Sequence, residues 1–331
     1  MKKIDPSILI NLGLLLVALV SSVMIGSVFI SPADIIRGLL GLPVDGSVST
    51  ILWDIRIPRT ILIALVGASL AGSGTAYQGI FRNPLADPYL IGIASGAGLG
   101  AVLAMTLRWP VSMLDHFMIP AFAFTGSIVS VSIVTVLARR DGGFPTANLI
   151  LSGVAVSTFF GAITSFFMLN SSGELRRAIS WLMGGVSLVN WNAILVLLPF
   201  LLIGFSMLLV HSYSLNILQF GDDQARQMGI DVDKARMAII ISTSLITASA
   251  VSFAGIIGFV GLIVPHIYRI LWGADHRRLI PLSILGGAIL LLFSDVLART
   301  VLAPREIPVG IVTTLIGVPF FLWLLRTKKV Y

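Results

Sequence analysis

Long apolar runs separated by short polar segments set the pattern of this chain. Nine runs contain no Asp, Glu, Lys or Arg, and most reach the roughly 20 residues that a helix needs to cross a bilayer. The pattern therefore predicts an all-α membrane protein with several crossings. The runs are 6–33, 60–81, 88–107, 116–138, 142–173, 178–221, 237–268, 279–294 and 307–325.

Two of these runs are too long for one ordinary crossing. The run 178–221 begins with a polar, glycine-rich part, which predicts a short re-entrant or interfacial helix before a crossing at about 191–211. The run 237–268 could form one long helix, or two shorter helices that turn near Gly255, Gly258 and Gly261.

The basic residues decide between these alternatives, because Lys and Arg are enriched on the cytoplasmic side of membrane proteins. Nine crossings would place ten basic residues inside and twelve outside, whereas ten crossings place fourteen inside and eight outside. We therefore predict ten transmembrane helices with both termini in the cytoplasm. The predicted cytoplasmic segments are 82–88, 139–146, 212–236, 273–279 and the C-terminal tail. The predicted outer segments are 31–59, 108–115, a short helix after 174–177, and 299–306.

The longest cytoplasmic segment, 212–236, is polar but compatible with helix. Gly221 and Gly229 interrupt it, so it predicts a short helical hairpin. Such a hairpin at the membrane surface is suited to docking a partner protein, and the alternative is an ordinary solvated loop.

A polar turn with two prolines, 82–88, separates two glycine-rich apolar helices within the segment 67–96. We expect this ordered turn to belong to a moving or conducting part of the molecule. A short echo, Ser69–Gly72 and Ser252–Gly255, suggests an inverted repeat, with each copy near the end of a crossing. The overlapping GxxxG spacings of Gly92, Gly96 and Gly100 favour close helix packing.

Composition supports the membrane class: 56% of the residues are hydrophobic, 11% are charged, and the mean hydropathy is +1.00. Cysteine is absent, which excludes disulfides and thiolate metal sites. The net charge of +7 follows the positive-inside rule and does not indicate nucleic acid binding. The run 6–33 is too long for a signal-peptide core and predicts a retained first helix.

Few residues are candidates for catalysis, metal binding or nucleotide binding. No GxxxxGK[ST] motif occurs, so the chain has no Walker site of its own for ATP. The four histidines (His116, His211, His266 and His276) have no partner at i+4, so we predict no metal, no cofactor and no catalytic site. This argues against a membrane enzyme.

Asp295 is the main charge within the crossings, and Arg299 lies four residues later, so an ion pair between them is expected. Ion-coupled carriers usually hold carboxylates at mid-membrane. Their scarcity argues against a stand-alone secondary transporter, which remains a remote alternative, and predicts an external source of energy for transport.

The chain resembles a known family: the permease subunits of bacterial ABC importers of type II, which import iron-siderophores, haem and cobalamin. The resemblance covers the chain from Arg56 onward and rests on motifs in the family's order. These are RIPR at 56–59, the glycine-rich run 67–78, RNPLADP at 82–88, WLMGG at 181–185, QMGI at 227–230, GFVGLIVPH at 258–266, DHR at 275–277 and EIPVG at 306–310.

The resemblance implies one permease domain over 1–331 that forms a homodimer in the bacterial cytoplasmic (inner) membrane. Two cytoplasmic ATPase subunits, which carry ATP and Mg²⁺, would dock on the loop 212–236. A periplasmic or lipid-anchored binding protein would deliver the substrate. The predicted coupling residues in that loop are Gly221, Ala225, Met228 and Gly229.

The resemblance also implies two further sites. Arg56, Arg59 and Arg299 match outward arginines that pair with acidic residues of the binding protein. Asn83 and Leu85, with Thr146 and Ala147, match a cytoplasmic gate. The last gate position is a serine in the cobalamin relative, so the gate here is less polar. For Asn83 the alternative is that it only caps the following helix.

The substrate stays open at this stage. An Fe(III)-siderophore is the first choice, because that class is the commonest in the family. Haem and cobalamin are the alternatives.

Overall fold

The computed structural model describes residues 5–107, 115–140, 143–170, 174–186 and 189–326. Within these residues the named elements are all helical. The α-helices are α1 (Pro6–Met24), α2 (Pro32–Leu39), α3 (Gly46–Thr50), α4 (Ile57–Phe81), α5 (Ile93–Thr106), α6 (Asp115–Ala138), α7 (Thr146–Asn170), α8 (Leu175–Leu182), α9 (Trp191–Val210), α10 (Ser212–Leu218), α11 (Asp222–Gln227), α12 (Val232–Ala254), α13 (Val260–Trp272), α14 (His276–Thr300) and α15 (Val309–Arg326). A π-helical turn, Ile51–Arg56, leads into α4, and a 3₁₀ helix, Pro88–Ile91, precedes α5.

The predicted all-α membrane architecture is confirmed. In the described residues, seven helices are long and apolar enough to cross a membrane: α1, the continuous stretch Gly46–Phe81, and α6, α7, α9, α12 and α14. Three shorter apolar helices, α5, α13 and α15, accompany them. These ten apolar helices fall where the ten crossings were predicted, although the number of crossings itself stays a prediction. Residues 108–114 of one predicted outer loop lie outside the described residues.

Each of the two overlong apolar runs is divided into more than one helix. The run 178–221 contains the end of α8 and then α9, α10 and the turn before α11. The run 237–268 breaks after Ala254, because Gly255 adopts a positive φ of 68° that ends α12. The predicted turn near Gly255 is therefore present, and α13 begins at Val260.

Helix α4 lies at the centre of the bundle and packs against α12, α13 and α14. Glycine permits this close approach. A Cβ atom at Gly67 would lie 2.2 Å from the carbonyl oxygen of Gly287, and one at Gly74 would lie 1.9 Å from that of Gly261. The glycine-rich composition of the segment 67–96 thus serves helix packing at these positions.

The GxxxG residues divide between two roles. Gly96 and Gly100 bring α5 against α6, since their Cβ atoms would lie 2.3 Å and 2.0 Å from the carbonyl oxygens of Gly126 and Phe122. Gly92 instead precedes α5 with a φ of 83°.

The two copies of the sequence echo are not equivalent. Ser69–Gly72 lies inside α4, whereas Ser252–Gly255 covers the end of α12. The expectation that each copy lies near the end of a crossing is therefore wrong for the first copy.

Candidate coupling and gating site

Two clusters of charged residues lie at opposite ends of α4. Arg59 is in its first turn, and Arg82 follows its last residue. A helix of 25 residues is about 37 Å long, so the clusters lie at opposite faces of a bilayer-sized bundle. We call the cluster around Arg82 the Asp222 junction and the cluster around Arg59 the Asp295 cluster.

The turn 82–88 is ordered by its own polar side chains. Asn83 Oδ1 accepts a hydrogen bond from the Leu85 amide at 2.9 Å, and Asp87 Oδ1 accepts one from the Tyr89 amide at 2.9 Å. Asn83 is exposed and Leu85 is half-buried. Asn83 therefore orders the turn itself and does not cap the following helix, whose N-cap is Asp87.

Asp87 caps the 3₁₀ helix, and the pKa of its carboxyl group differs from the ordinary value. Burial raises its pKa to about 6. The hydroxyl of Tyr89, two residues later, donates to the Ile257 carbonyl at 3.0 Å and accepts from the Ile257 amide at 3.2 Å. This side chain therefore ties the segment after the turn to the break between α12 and α13.

The segment 212–236 contains two short helices, α10 and α11, as predicted. Gly221 and Gly229 have positive φ angles of 108° and 81°, so both predicted breakers are points where the chain turns. Asn216 in α10 donates to Asp275 at 2.6 Å and accepts from the His276 amide at 2.8 Å, which fastens α10 to the start of α14. Helix α10 is therefore packed onto the bundle, whereas most residues of α11 and of the turn after it are exposed.

The predicted coupling residues differ in exposure. Ala225 is fully buried, so a bulky residue there would disturb the packing of α11 itself. Met228 has 56% of its surface exposed, and Gly229 has no atom within 4 Å of where a Cβ would lie. Met228 and Gly229 are therefore available to a partner, whereas Ala225 is not.

Asp222 joins two arginines that are far apart in sequence. Arg82 Nη2 donates to Asp222 Oδ1 at 2.5 Å, and Arg236 Nη2 donates to Oδ1 and Oδ2 at 2.9 and 3.0 Å. Arg236 Nη1 also donates to the Phe144 carbonyl at 2.7 Å. Because Arg236 is only 2% exposed, its guanidinium requires these partners.

The Asp222 junction reaches the start of α7, where Thr146 and Ala147 lie. The Phe144 amide donates to Asp233 Oδ1 at 3.3 Å, so both backbone groups of Phe144 are held by α12. Thr146 is half-buried and Ala147 is exposed. Further along α7, a Cβ atom at Gly153 would lie 2.0 Å from the Leu90 carbonyl. The structure thus connects the two predicted gate segments through Asp222 and by packing of α7 on the 3₁₀ helix.

The Asp295 cluster holds the three arginines predicted to meet a binding protein. Arg59 Nη2 lies 2.9 Å from Asp295 Oδ1 and its Nη1 lies 2.8 Å from Glu306 Oε2. Arg299 Nε lies 2.9 Å from Asp295 Oδ2, which confirms the expected i,i+4 ion pair. Asp295 is fully buried.

The side chains of these three arginines are buried in the single chain. Arg56, Arg59 and Arg299 are 5%, 9% and 6% exposed. Arg56 donates to the carbonyls of Ile25 and Val28, and a Cβ atom at Gly26 would collide with its guanidinium. Carbonyls from the end of α1 and the loop after it, and carboxylates from α14 and the loop after it, satisfy these charges. The arginines therefore fasten α1, α4 and α14 together. Their docking role stays an untested prediction.

Sequence reasoning missed Asp222, Arg236, Tyr89 and Glu306. One signal was available for Arg236, which immediately precedes the apolar run 237–268 and needs a partner at that position. In the described part of the chain, no group of three or more His, Asp or Glu side chains is placed to hold a metal ion. The side chain of His116 lies outside the described residues.

An apolar cavity of about 380 Å³ opens beside the break between α12 and α13. Its walls come from the end of α8, from the break itself and from the first turns of α15. The lining residues are Leu182, Met183, Ile256, Gly258, Gly310, Ile311, Thr314 and Leu315.

The chain is similar to several permeases over most of its length. It is 47% identical to the cobalamin import system permease protein BtuC of Halobacterium salinarum over 290 residues, covering 88% of this chain and 76% of that protein. It is 40% identical to the hemin transport system permease protein HmuU of Yersinia pestis, covering 84% of each chain. It is 38% identical to the Fe(3+)-citrate import system permease protein YfmE of Bacillus subtilis, covering 97% of this chain and 94% of that protein.

A solved structure shows the same arrangement of helices. It is described as an inward-facing conformation of a metal-chelate type ABC transporter, and it matches with a TM-score of 0.84 at 31% identity, covering 97% of this chain and 98% of that one. The model of the FecCD transport family matches residues 14–327. The chain therefore belongs to the FecCD transport family.

Proposed function

We propose that this chain is the membrane-spanning permease of an ATP-driven importer that moves a large metal chelate into the cytoplasm. The observation that carries the proposal is the Asp222 junction. It binds the two predicted gate segments to a short helix that is presented at one end of the bundle. Asp295, the main carboxylate in the predicted crossings, is neutralised by Arg59 and Arg299, so it offers no free site for a coupling ion.

Two copies would form the pathway. Helices α7 and α15 carry large apolar side chains that are exposed in the single chain, including Leu151, Phe159, Leu315 and Trp323. A second copy that faces the apolar cavity beside α15 would complete a channel. We propose a homodimer with both termini in the cytoplasm, embedded as a single permease domain in the cytoplasmic membrane.

The energy would come from two ATPase subunits docked on α10 and α11, with ATP and Mg²⁺ bound to those subunits. A binding protein would present the substrate at the opposite end. The substrate class is a metal chelate, with an Fe(III)-siderophore, haem and cobalamin as candidates. The three relatives described above are named for the transport of cobalamin, hemin and Fe(3+)-citrate.

The deciding experiment reconstitutes the chain with its ATPase and binding protein in liposomes. Uptake is measured with a ferric siderophore, haem or cobalamin, each with and without ATP. We expect uptake of one ligand that requires both ATP and the binding protein. Uptake driven by an ion gradient without ATP would favour a secondary transporter.

The exposed Met228 is expected to anchor the ATPase. Met228→Ala should weaken ATPase binding about fivefold, since a moderate interface contact contributes about 1 kcal/mol. The permease should stay folded, because the side chain is 56% exposed. Affinity is measured with detergent-solubilised permease and purified ATPase. Leu302→Ala, which truncates an apolar side chain of 59% exposure at the opposite end, is the matched control. Equal affinities would place the docking surface elsewhere.

Leu85 is expected to face its symmetry mate across the cytoplasmic constriction. The chain contains no cysteine, so Leu85→Cys introduces a single thiol. In a dimer closed on the cytoplasmic side, this thiol should cross-link to its mate and block transport. Ser47→Cys, exposed at the opposite end, should give no cross-link. Intact transport without cross-linking in any nucleotide state would remove Leu85 from the gate.

A further inference from the structure

We propose that Asp222 is the positioning residue that transmits movement of α11 to both gate segments. The inference rests on the proposed function and deepens it. It identifies Asp222 as the carboxylate that joins α11, the proposed docking helix, to the two gate segments.

The first arm of this connection runs through Arg82. Its guanidinium bonds to Asp222 Oδ1, and its backbone starts the turn that carries Asn83 and Leu85. Arg82 has a positive φ of 49° and ends α4 with a Schellman cap, in which its amide donates to the Gly79 carbonyl at 3.3 Å and the Asn83 amide donates to the Gln78 carbonyl at 3.1 Å. Movement of Asp222 therefore pulls on the point where α4 ends and the gate turn begins.

The second arm runs through Arg236. One of its nitrogens holds both oxygens of Asp222, and another donates to the Phe144 carbonyl, two residues before Thr146. The Phe144 amide is held by Asp233, so the start of α7 cannot move independently of this end of α12. Charge-assisted bonds of this kind are stronger and more directional than neutral ones.

The position of Asp222 at the start of α11 allows a movement of this helix to reach both arms of the connection. Asp222 is the first residue of α11 and follows Gly221, whose φ of 108° lets the chain turn there. Ala225, one turn later, is fully buried, so α11 is packed against the bundle at that point. A push on the exposed Met228 end is expected to tilt the short helix about its packed side and displace Asp222.

The alternative is that Asp222 only stabilises the fold. A matched control is Asp5, which pairs with Arg278 at the same predicted face, with a bond of 2.7 Å between Arg278 Nη2 and Asp5 Oδ1. The two carboxylates have similar exposure, 27% for Asp5 and 32% for Asp222, but their partners differ, since Arg278 is 42% exposed and Arg236 only 2%. Arg82→Gln, whose arginine is 38% exposed, is therefore the variant that Asp5→Asn matches in burial. The Asp5 pair fastens α1 to α14 and touches neither gate segment.

The experiment compares Asp222→Asn, Asp222→Glu and Asp5→Asn in the complete complex, each alone and combined with Leu85→Cys. Ligand transported per ATP hydrolysed is measured, together with the dependence of cross-linking on nucleotide. For Asp222→Asn we expect an assembled complex that still hydrolyses ATP but transports at least tenfold less ligand per ATP. Its cross-link should no longer respond to nucleotide. Asp5→Asn should behave like the native chain, and Asp222→Glu should recover part of the coupling.

Native transport per ATP in Asp222→Asn, with a nucleotide-dependent cross-link, would overturn the inference. If Asp222→Asn does not assemble, Arg82→Gln tests the first arm alone, because it leaves the pair between Asp222 and Arg236 intact. An assembled Arg82→Gln complex with native coupling would likewise overturn it. A native complex that shows no ATP-dependent uptake of any tested chelate would instead count against the proposed function.

Discussion

Replacing Asp295 with asparagine should strongly destabilise the protein. The carboxylate is fully buried and balances Arg59 and Arg299, so the neutral amide leaves the buried Arg299 without its carboxylate and Arg59 with only the half-exposed Glu306. Breaking a buried ion pair in this way costs about 3–5 kcal/mol. We expect Asp295→Asn to lower the melting temperature in detergent by on the order of 10 °C and to reduce the yield of monodisperse protein.

The control for this variant is Glu306→Gln in the same cluster. The Glu306 side chain is 48% exposed, and Arg59 keeps Asp295 when Glu306 is neutralised. The loss should be below about 1 kcal/mol, as for other exposed ion pairs. Equal melting temperatures for Asp295→Asn and the native chain would show that the cluster does not stabilise the fold.

Gly67→Leu should prevent correct packing of α4 on α14. Even a Cβ atom at this position would lie 2.2 Å from the Gly287 carbonyl oxygen and 2.8 Å from the Leu291 Cβ. Backbone atoms cannot yield as a flexible side chain can, so the helices must separate. Overpacking usually costs about 1–3 kcal/mol, and we expect this leucine to exceed that range.

Gly13→Leu in α1 is the matched change, since no atom lies within 4 Å of its Cβ position. It should be neutral or slightly stabilising, because leucine favours helix over glycine by up to about 1 kcal/mol. The two variants are compared by size-exclusion profile and melting temperature in the same detergent. Similar behaviour of both would contradict the packing argument.

The sequence predicted the helices well because the bilayer makes their signal local. A charge inside hydrocarbon is costly, so the charge-free runs mark the apolar helices, and Gly255 marks the break between α12 and α13. Gly221 and Gly229 were likewise identified as turning points from residue type alone. The i,i+4 pair of Asp295 and Arg299 followed from helix geometry.

The partners of the charged residues were not predictable in the same way. Arg59 and Asp295 are separated by 236 positions, and Arg82 and Asp222 by 140. The family resemblance implies that Arg56, Arg59 and Arg299 face outward to meet a binding protein, whereas the structure buries them. Ala225 is a predicted coupling residue, but its side chain is fully buried.

Local composition thus determined which segments of this chain are apolar helices and where the chain must turn, since both depend on residues a few positions apart. Only the tertiary structure decided which charges meet, because that depends on how α1, α4, α12 and α14 pack against one another. Close glycine contacts, such as Gly67 with Gly287, set that packing. They bring Asp295 to Arg59 at one end and, at the other, leave Asp222 between Arg82 and Arg236.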